Sequence, residues 1–333
     1  MKEAQFYIAL ENGQVVCQLC PHACKLADGR VGVCGVRRNR GGVLYSLVYE
    51  KAAAMHVDPI EKKPLFHVYP GSASFSIATM GCNFHCRFCQ NHDLSQVHGE
   101  PTGQLATSRQ VVDAAILRRC RTIACTYTEP TVYFEYALEI ARLAKAEGIA
   151  TVFVTNGYIN EAPLRELAPY LAAANVDLKG WNKDFYRRVI GGDLDSVLAT
   201  LKLMKGLGVW VEVTTLLVPD QISEPDLQEI ARFISQELGA ETPWHISRYH
   251  PDYQYTQTPA TPLALLQRGR EIGLAAGLRY VYSGNIPGDE GEHTYCPQCG
   301  RKVIERYGFQ ILANHVHNGG CRFCGAGLDG IGL

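Results

Sequence analysis

Met80-Gly81-Cys82-Asn83-Phe84-His85-Cys86-Arg87-Phe88-Cys89-Gln90-Asn91 is the stretch on which the reading of the fold turns. It follows a strand-like apolar run at 73–80 and places three cysteines within eight residues. Three thiolates so spaced can wrap one iron–sulfur cube. The cube has four irons, so one iron keeps no protein ligand. An open metal position is a chemical site, by the logic that separates open catalytic zinc from closed structural zinc. The competing reading is a zinc site completed by His85 or His92.

Outward from this loop, strand-like runs at 122–127, 150–155, 175–178, 209–218, 244–247 and 279–282 alternate with helical spacing at 108–119, 131–147, 162–171, 194–207, 223–238 and 261–276. Ser108 and Ser223 stand as N-caps, and Gly148, Gly208 and Gly277 as C-terminal stops. Such alternation predicts parallel βαβ units, in a doubly wound sheet or a full or partial barrel. No Gly-rich dinucleotide fingerprint follows the first strand, which disfavours the doubly wound nucleotide-binding form. Reactive side chains follow the strands: the three cysteines, then Glu129, Asn156, Asp177 with Lys179, and His250. In α/β barrels that face carries the chemistry. Alternation puts Asp177 and Lys179 on one face of their strand. Pro59, Pro64, Pro70 and Gly71 mark a boundary. The expected division is a Cys-rich module at 1–72, an α/β unit at 73–283 and a Gly- and Cys-rich module at 284–333.

The loop resembles the cysteine signature of radical S-adenosylmethionine (SAM) enzymes. The likeness lies in the C-x3-C-x2-C spacing, in Phe88 before the third cysteine, and in its place after the first strand of a βα series. It implies an α/β fold, a partial (β/α)6 barrel. It also implies a [4Fe–4S] cluster on Cys82, Cys86 and Cys89, with SAM chelating the open iron through its amine and carboxylate. Reduction would then yield a 5′-deoxyadenosyl radical. Thr126-Tyr127-Thr128-Glu129-Pro130 keeps only the acid of the Gly-Gly-Glu that such enzymes place against the methionine amine. Val154-Thr155-Asn156-Gly157 looks like the Asp-Thr-Asn-Gly of glycyl-radical-enzyme activases, with Val154 where the acid stands. Asp177-Leu178-Lys179 and Tyr249-His250-Pro251 resemble activase residues near the SAM carboxylate. The resemblance thus assigns Phe88, Glu129, Thr155, Asn156, Asp177, Lys179 and His250 to cofactor binding. The bland readings are a surface Glu129 before a helix, an Asn-Gly turn, a structural Asp177–Lys179 pair and a structural His250.

Over 17–290 the chain is similar to the radical SAM proteins of the AmmeMemoRadiSam system. The similar residues are Cys17-Gln18-Leu19-Cys20-Pro21-His22-Ala23-Cys24, Gly32-Val33-Cys34-Gly35-Val36-Arg37, Thr128-Glu129-Pro130, Asp177-Leu178-Lys179-Gly180 and Tyr282-Ser283-Gly284-Asn285. That likeness implies partner proteins.

Cys296-Pro297-Gln298-Cys299-Gly300 and Cys321-Arg322-Phe323-Cys324-Gly325 are two knuckles that together offer a tetrahedral four-thiolate site. Structural zinc suits a small module poor in apolar residues; an auxiliary iron–sulfur cluster is the alternative. Cys17, Cys20, Cys24 and Cys34 form another set of four. Its spacing leaves zinc, an iron–sulfur cluster and two disulfides all open. Cys120 and Cys125 read as core thiols.

With 32 Lys+Arg against 33 Asp+Glu, the chain has no charge excess to attract nucleic acid or an anionic membrane. Thirteen cysteines, an odd number, point to metal in a reducing compartment rather than a disulfide framework. The opening MKEAQFYIAL is too short and polar for a signal peptide, and no apolar run of membrane length occurs. The expectation is a cytoplasmic oxidoreductase acting on a protein or small-molecule substrate. A donor such as flavodoxin or ferredoxin would feed it. From another class, a non-catalytic zinc or iron–sulfur binding module is the alternative.

Overall fold

The computed structural model describes residues 1–333. Eight strands form its central sheet, side by side in chain order: β1 (Ala54–Pro59), β2 (Ala73–Ala78), β3 (Thr122–Cys125), β4 (Ala150–Thr155), β5 (Leu171–Asp177), β6 (Trp210–Leu217), β7 (Trp244–Arg248) and β8 (Val281–Gly284). β1 runs antiparallel to β2, and β2 through β8 are parallel. The crossovers carry α1 (Ser108–Leu117), α2 (Phe134–Ala146), α3 (Glu161–Leu167), α4 (Leu194–Gly206), α5 (Glu224–Phe233) and α6 (Leu263–Ala275). A doubly wound sheet must reverse its strand order part-way. This one never does, and β8 pairs with neither β1 nor β2. Six βα units and one further parallel strand therefore make an open, partial α/β barrel.

Some boundaries differ from the sequence reading, each for a local reason. Thr107, not Ser108, caps α1: its hydroxyl accepts from Gln110 N–H while the Gln110 side chain accepts from Thr107 N–H. The reciprocal box needs Gln three residues on, which only Thr107 has. β5 begins at Leu171, in an Ala-rich run that favours helix by propensity alone. Tertiary packing overrides it. Ala124, Val152 and Ala173 lie in register across β3, β4 and β5, and Ile60, Leu65 and Val68 pack on them. Small side chains there make room for chain 60–68 on the concave face of the sheet. Asn175 Nδ2 donates to the Pro64 carbonyl at 2.7 Å and ties that chain down.

Buried polar groups close the N-terminal mouth of the barrel. Glu212 accepts from the backbone N–H of Phe66 at 3.0 Å and of His67 at 2.9 Å, and meets His245 Nε2 at 2.7 Å. His67 lies 2.6 Å from the Asp329 carbonyl through Nδ1 and 2.7 Å from the Tyr282 hydroxyl through Nε2. A carbonyl only accepts, so Nδ1 carries the proton and Nε2 accepts from Tyr282. The C-terminal module docks on the same end, where Arg306 lies 4.2 Å over the Phe66 ring and donates to the Phe66 carbonyl at 3.0 Å. The N-terminal module is anchored to α2 by Arg37, which grips Glu135 with both terminal nitrogens at 3.0 and 2.6 Å.

Burial pushes the His67 imidazole down to about 4, against about 6.5 when unfolded. Between those values the folded chain binds fewer protons than the unfolded one, so stability rises with pH and falls on acidification. The urea midpoint should drop as pH is lowered from 6.5 towards 4, and the slope should flatten in His67→Gln. Glu212→Gln, which weakens two anchoring hydrogen bonds to a charged acceptor, should lower stability by about 1–3 kcal/mol in the same assay.

Candidate active site

β2 ends at Ala78, and Gly81 turns the chain into the cysteine loop with φ +101°. A Cβ there would stand 2.9 Å from the Cys34 carbonyl oxygen and 2.6 Å from Val36 Cγ1, so only glycine fits against the N-terminal module. The loop is held from both sides. His85 N–H donates to the Ile190 carbonyl at 2.8 Å, and Arg87 N–H to the Val189 carbonyl at 3.2 Å. Phe84 packs flat enough on Gly192 that a Cβ there would meet its ring at 2.2 Å.

Cys82, Cys86 and Cys89 line one cavity of about 310 Å³ at the C-terminal ends of the strands. Phe88, Glu129, Thr155, Asn156, Asp177 and Lys179 line it as well. His250 does not. It is exposed, and its ring meets the cavity only through Gln90 Nε2, which donates to it at 3.1 Å. Phe88 is buried against Phe185, with ring centroids 6.1 Å apart, and against Tyr249 and Tyr255.

Glu129 is 1% exposed, so it is no surface acid. Its Oε1 accepts from Thr131 N–H at 3.0 Å and from the Thr131 and Thr155 hydroxyls at 2.7 Å each. Oε2 accepts only from Asn156 N–H, at 2.8 Å. The carboxylate thus ties the end of β3 to the end of β4 and keeps acceptor capacity on one oxygen. Asn156 Nδ2 donates to Asn83 Oδ1 at 2.8 Å and stands 3.7 Å from Cys82 Sγ. Lys179 Nζ donates to Asp177 Oδ2 at 2.8 Å. Burial opposes the Lys179 charge, but Asp177 and the Cys86 sulfur overcome it and hold the ammonium above its usual range.

Burial pushes the Cys86 thiol up to about 12 against the pull of Lys179, and raises Cys82 further, with Glu129 adding to it. Cys82 and Cys86, raised in this way, ionise readily only with a cation beside them, and Cys89 faces the same cavity. The donor set therefore fits an iron–sulfur cluster bound on three corners. Neither His85 nor His92 lines the cavity to complete a zinc site.

Lys62, Lys63 and Tyr127 also line this cavity, and no motif in the sequence marks the two lysines. Asp58, on β1, gathers them: it accepts from Lys62 Nζ at 2.9 Å, Lys63 Nζ at 2.8 Å, Ser76 Oγ at 2.8 Å and the Tyr127 hydroxyl. Asp58 and the two lysines come from outside the βα series, carried in by an edge strand that pairs antiparallel, and Tyr127 meets them from the end of β3.

All thirteen cysteines are unpaired, so the N-terminal four form no disulfides. Cys120 and Cys125 are buried in the core. In the C-terminal module, Gly300 N–H donates to the Cys296 carbonyl and Gly325 N–H to the Cys321 carbonyl, two equivalent knuckles closed by left-handed glycines. Cys296 and Cys324 sulfurs are 3.7 Å apart, and Cys299 and Cys321 sulfurs 3.8 Å. A tetrahedral ion with metal–sulfur bonds of about 2.3 Å sets its sulfurs about 3.8 Å apart. These four thiols match a single ion.

Residues 76–234 match the radical SAM superfamily. The chain belongs to the radical SAM superfamily. It is 46% identical over 334 residues to the uncharacterised protein MJ0808 of Methanocaldococcus jannaschii, across 99% of both chains. It is 22% identical over 240 residues to pyruvate formate-lyase 1-activating enzyme of Escherichia coli, spanning 70% of this chain and 88% of that one. Among solved structures it resembles Streptococcus suis SuiB bound to S-adenosylmethionine, with TM-score 0.52, 16% identity and 68% of this chain covered. The match spans about half of SuiB, 53%, and shows the shared fold. This radical SAM enzyme is thus related to the pyruvate formate-lyase activating enzymes, whose superfamily uses SAM and a [4Fe–4S] cluster. No helix is long and apolar enough to cross a membrane.

Metal analysis checks the C-terminal quartet. Wild-type protein should carry about one non-cluster metal ion per chain there. Cys296→Ser with Cys321→Ser should lose it, lower the thermal midpoint and leave the iron content unchanged.

Proposed function

We propose that this protein binds a [4Fe–4S] cluster on Cys82, Cys86 and Cys89 and reductively cleaves SAM there. One observation carries the reading: three thiols, with no fourth cysteine and no histidine, share a cavity with a buried carboxylate and an ammonium. When bound and reduced, the cluster supplies one electron to the SAM sulfonium, giving methionine and a 5′-deoxyadenosyl radical that takes a hydrogen atom from substrate. The chain's own residues bind and orient. Glu129 offers its less occupied oxygen to the methionine ammonium, a charge-assisted bond in a dry setting. Lys179, held charged by Asp177, and Asn156 suit the carboxylate. Thr155 fixes the Glu129 carboxylate, and Phe88 seals the cluster side from water. His250 acts from the rim, through Gln90.

The relatedness to pyruvate formate-lyase activating enzyme favours a protein substrate, a backbone glycine Cα–H of a partner, with flavodoxin or ferredoxin as donor. Membership in the AmmeMemoRadiSam branch would make that system's proteins the partners. A peptide or small-molecule modifier with auxiliary clusters is the second reading, and the separate N-terminal thiol set is what favours it. Further parts of the proposal are zinc in the C-terminal quartet, a cytoplasmic location, no nucleic-acid or membrane partner, and modules at 1–72 and 284–333 on either side of the unit at 73–283, the first of them lending Ala54–Pro59 to the barrel's sheet.

Anaerobically reconstituted protein given SAM and dithionite should form 5′-deoxyadenosine, and Cys86→Ala should form none. Lys179→Ala should weaken SAM binding by about tenfold or more, the loss of one charge-assisted bond. A fully loaded cluster that leaves SAM intact with every reductant tried would contradict the proposal.

A further inference from the structure

Cys17, Cys20, Cys24 and Cys34 have no part in the chemistry above. They come from the small sheet of Tyr7–Ala9, Val15–Cys17 and Lys25–Leu26 and the loops beside it. All four line a second cavity, between apolar Leu19, Leu26 and Val132. Thiols that served only as small core hydrophobes would close on one another. These line a narrow enclosed space of about 20 Å³ that they do not close.

Two observations say what fills it. The first is sulfur separation. Of all groups of three or more Cys, His, Asp or Glu side chains, only the C-terminal quartet brings its ligand atoms within 4.8 Å of one another. No three of the N-terminal sulfurs lie within 4.8 Å of one another, whereas the thiolates around a single ion with bonds of about 2.3 Å stand about 3.8 Å apart. A polynuclear iron–sulfur core, which holds its thiolates farther apart, suits them. The second is an orphaned donor. Arg37 lines this cavity, is 2% exposed, and its Nε has no hydrogen-bond partner. A buried guanidinium N–H without an acceptor is costly, and cluster or cysteine sulfur would supply one.

The site abuts the three-cysteine loop. The Cys34 carbonyl presses on Gly81, next to Cys82. His22 Nε2 donates to the Asn83 carbonyl at 2.7 Å. Asn83 lines the N-terminal cavity, and through Asn156 it reaches the neighbourhood of Cys82 Sγ. Asn83 is thus the thin wall between the two thiol sets.

We propose that Cys17, Cys20, Cys24 and Cys34 hold a second iron–sulfur cluster, ligated by protein at every corner, which relays electrons to the cluster on Cys82, Cys86 and Cys89. The site stands on its own geometry; the relay rests on the proposed function. A low-potential one-electron donor of the flavodoxin or ferredoxin class reduces the closed cluster. The same electron then passes to the open cluster, reoxidising the first, and no atom is transferred.

Iron, sulfide and zinc are counted in full-length protein reconstituted anaerobically. Wild type should hold about eight irons and eight sulfides per chain. Cys82→Ala/Cys86→Ala/Cys89→Ala should keep about four, with a reduced-state paramagnetic signal that SAM does not alter. Cys20→Ala/Cys24→Ala should also keep about four irons, and SAM should alter its signal. That variant should lose SAM cleavage driven by flavodoxin while keeping cleavage driven by dithionite. Should it fail to fold, the counts in wild type and the triple variant still decide. About four irons and two zincs in wild type, with no iron in the triple variant, would overturn the proposal. Two loaded clusters with SAM never cleaved would sink the proposed function instead and leave this site standing.

Discussion

A cube of iron and sulfide gripped at three corners presents its fourth to whatever the fold places opposite. Much of this chain can be read as arranging that one direction. The strands of a parallel barrel end together, so their last inward-facing side chains face a common space. Glu129 closes β3 onto β4, the Asp177–Lys179 pair extends β5, and the cysteine loop covers them from the end of β2. The loop is braced by the 189–190 backbone and by an N-terminal module pressed so close that position 81 cannot carry a side chain.

The same cavity has a floor made by a segment from outside the βα series. Chain 60–68 crosses the concave face, admitted by small residues at 124 and 173 and tied by Asn175 and Glu212. This plug closes the N-terminal mouth and brings Lys62 and Lys63 into the reactive space. The two lysines share Asp58, itself on the antiparallel edge strand. The plug therefore joins stability to the site: the groups that hold it in place also set which cations line the cavity of the three cysteines.

Much of this was legible in the sequence, because local rules sufficed. Three cysteines after an apolar run, glycine stops, and acids and amides placed just past β-branched runs are features of short segments. What was lost depended on distant chain. The sequence reading ends a helix at Leu171 and starts the strand only at Asn175; the strand takes in Leu171 to Ala174 because the plug packs on it. Lys62 and Lys63 had no visible role because nothing local announces that β1 joins the sheet. His250 followed its strand as expected, yet the chain turns it to the rim. The spacing of the N-terminal quartet leaves its ligand open, and it is the separation of the sulfurs in space that sets it apart from the C-terminal knuckles.

The most direct test of the open vertex is electron–nuclear double resonance on the reduced protein with SAM labelled isotopically at its amine nitrogen and carboxylate oxygens. The account predicts hyperfine coupling from both to a paramagnetic cluster, absent when Cys86 is replaced by alanine. A fully loaded, reduced protein whose spectrum shows no such coupling and does not change on adding SAM would contradict it.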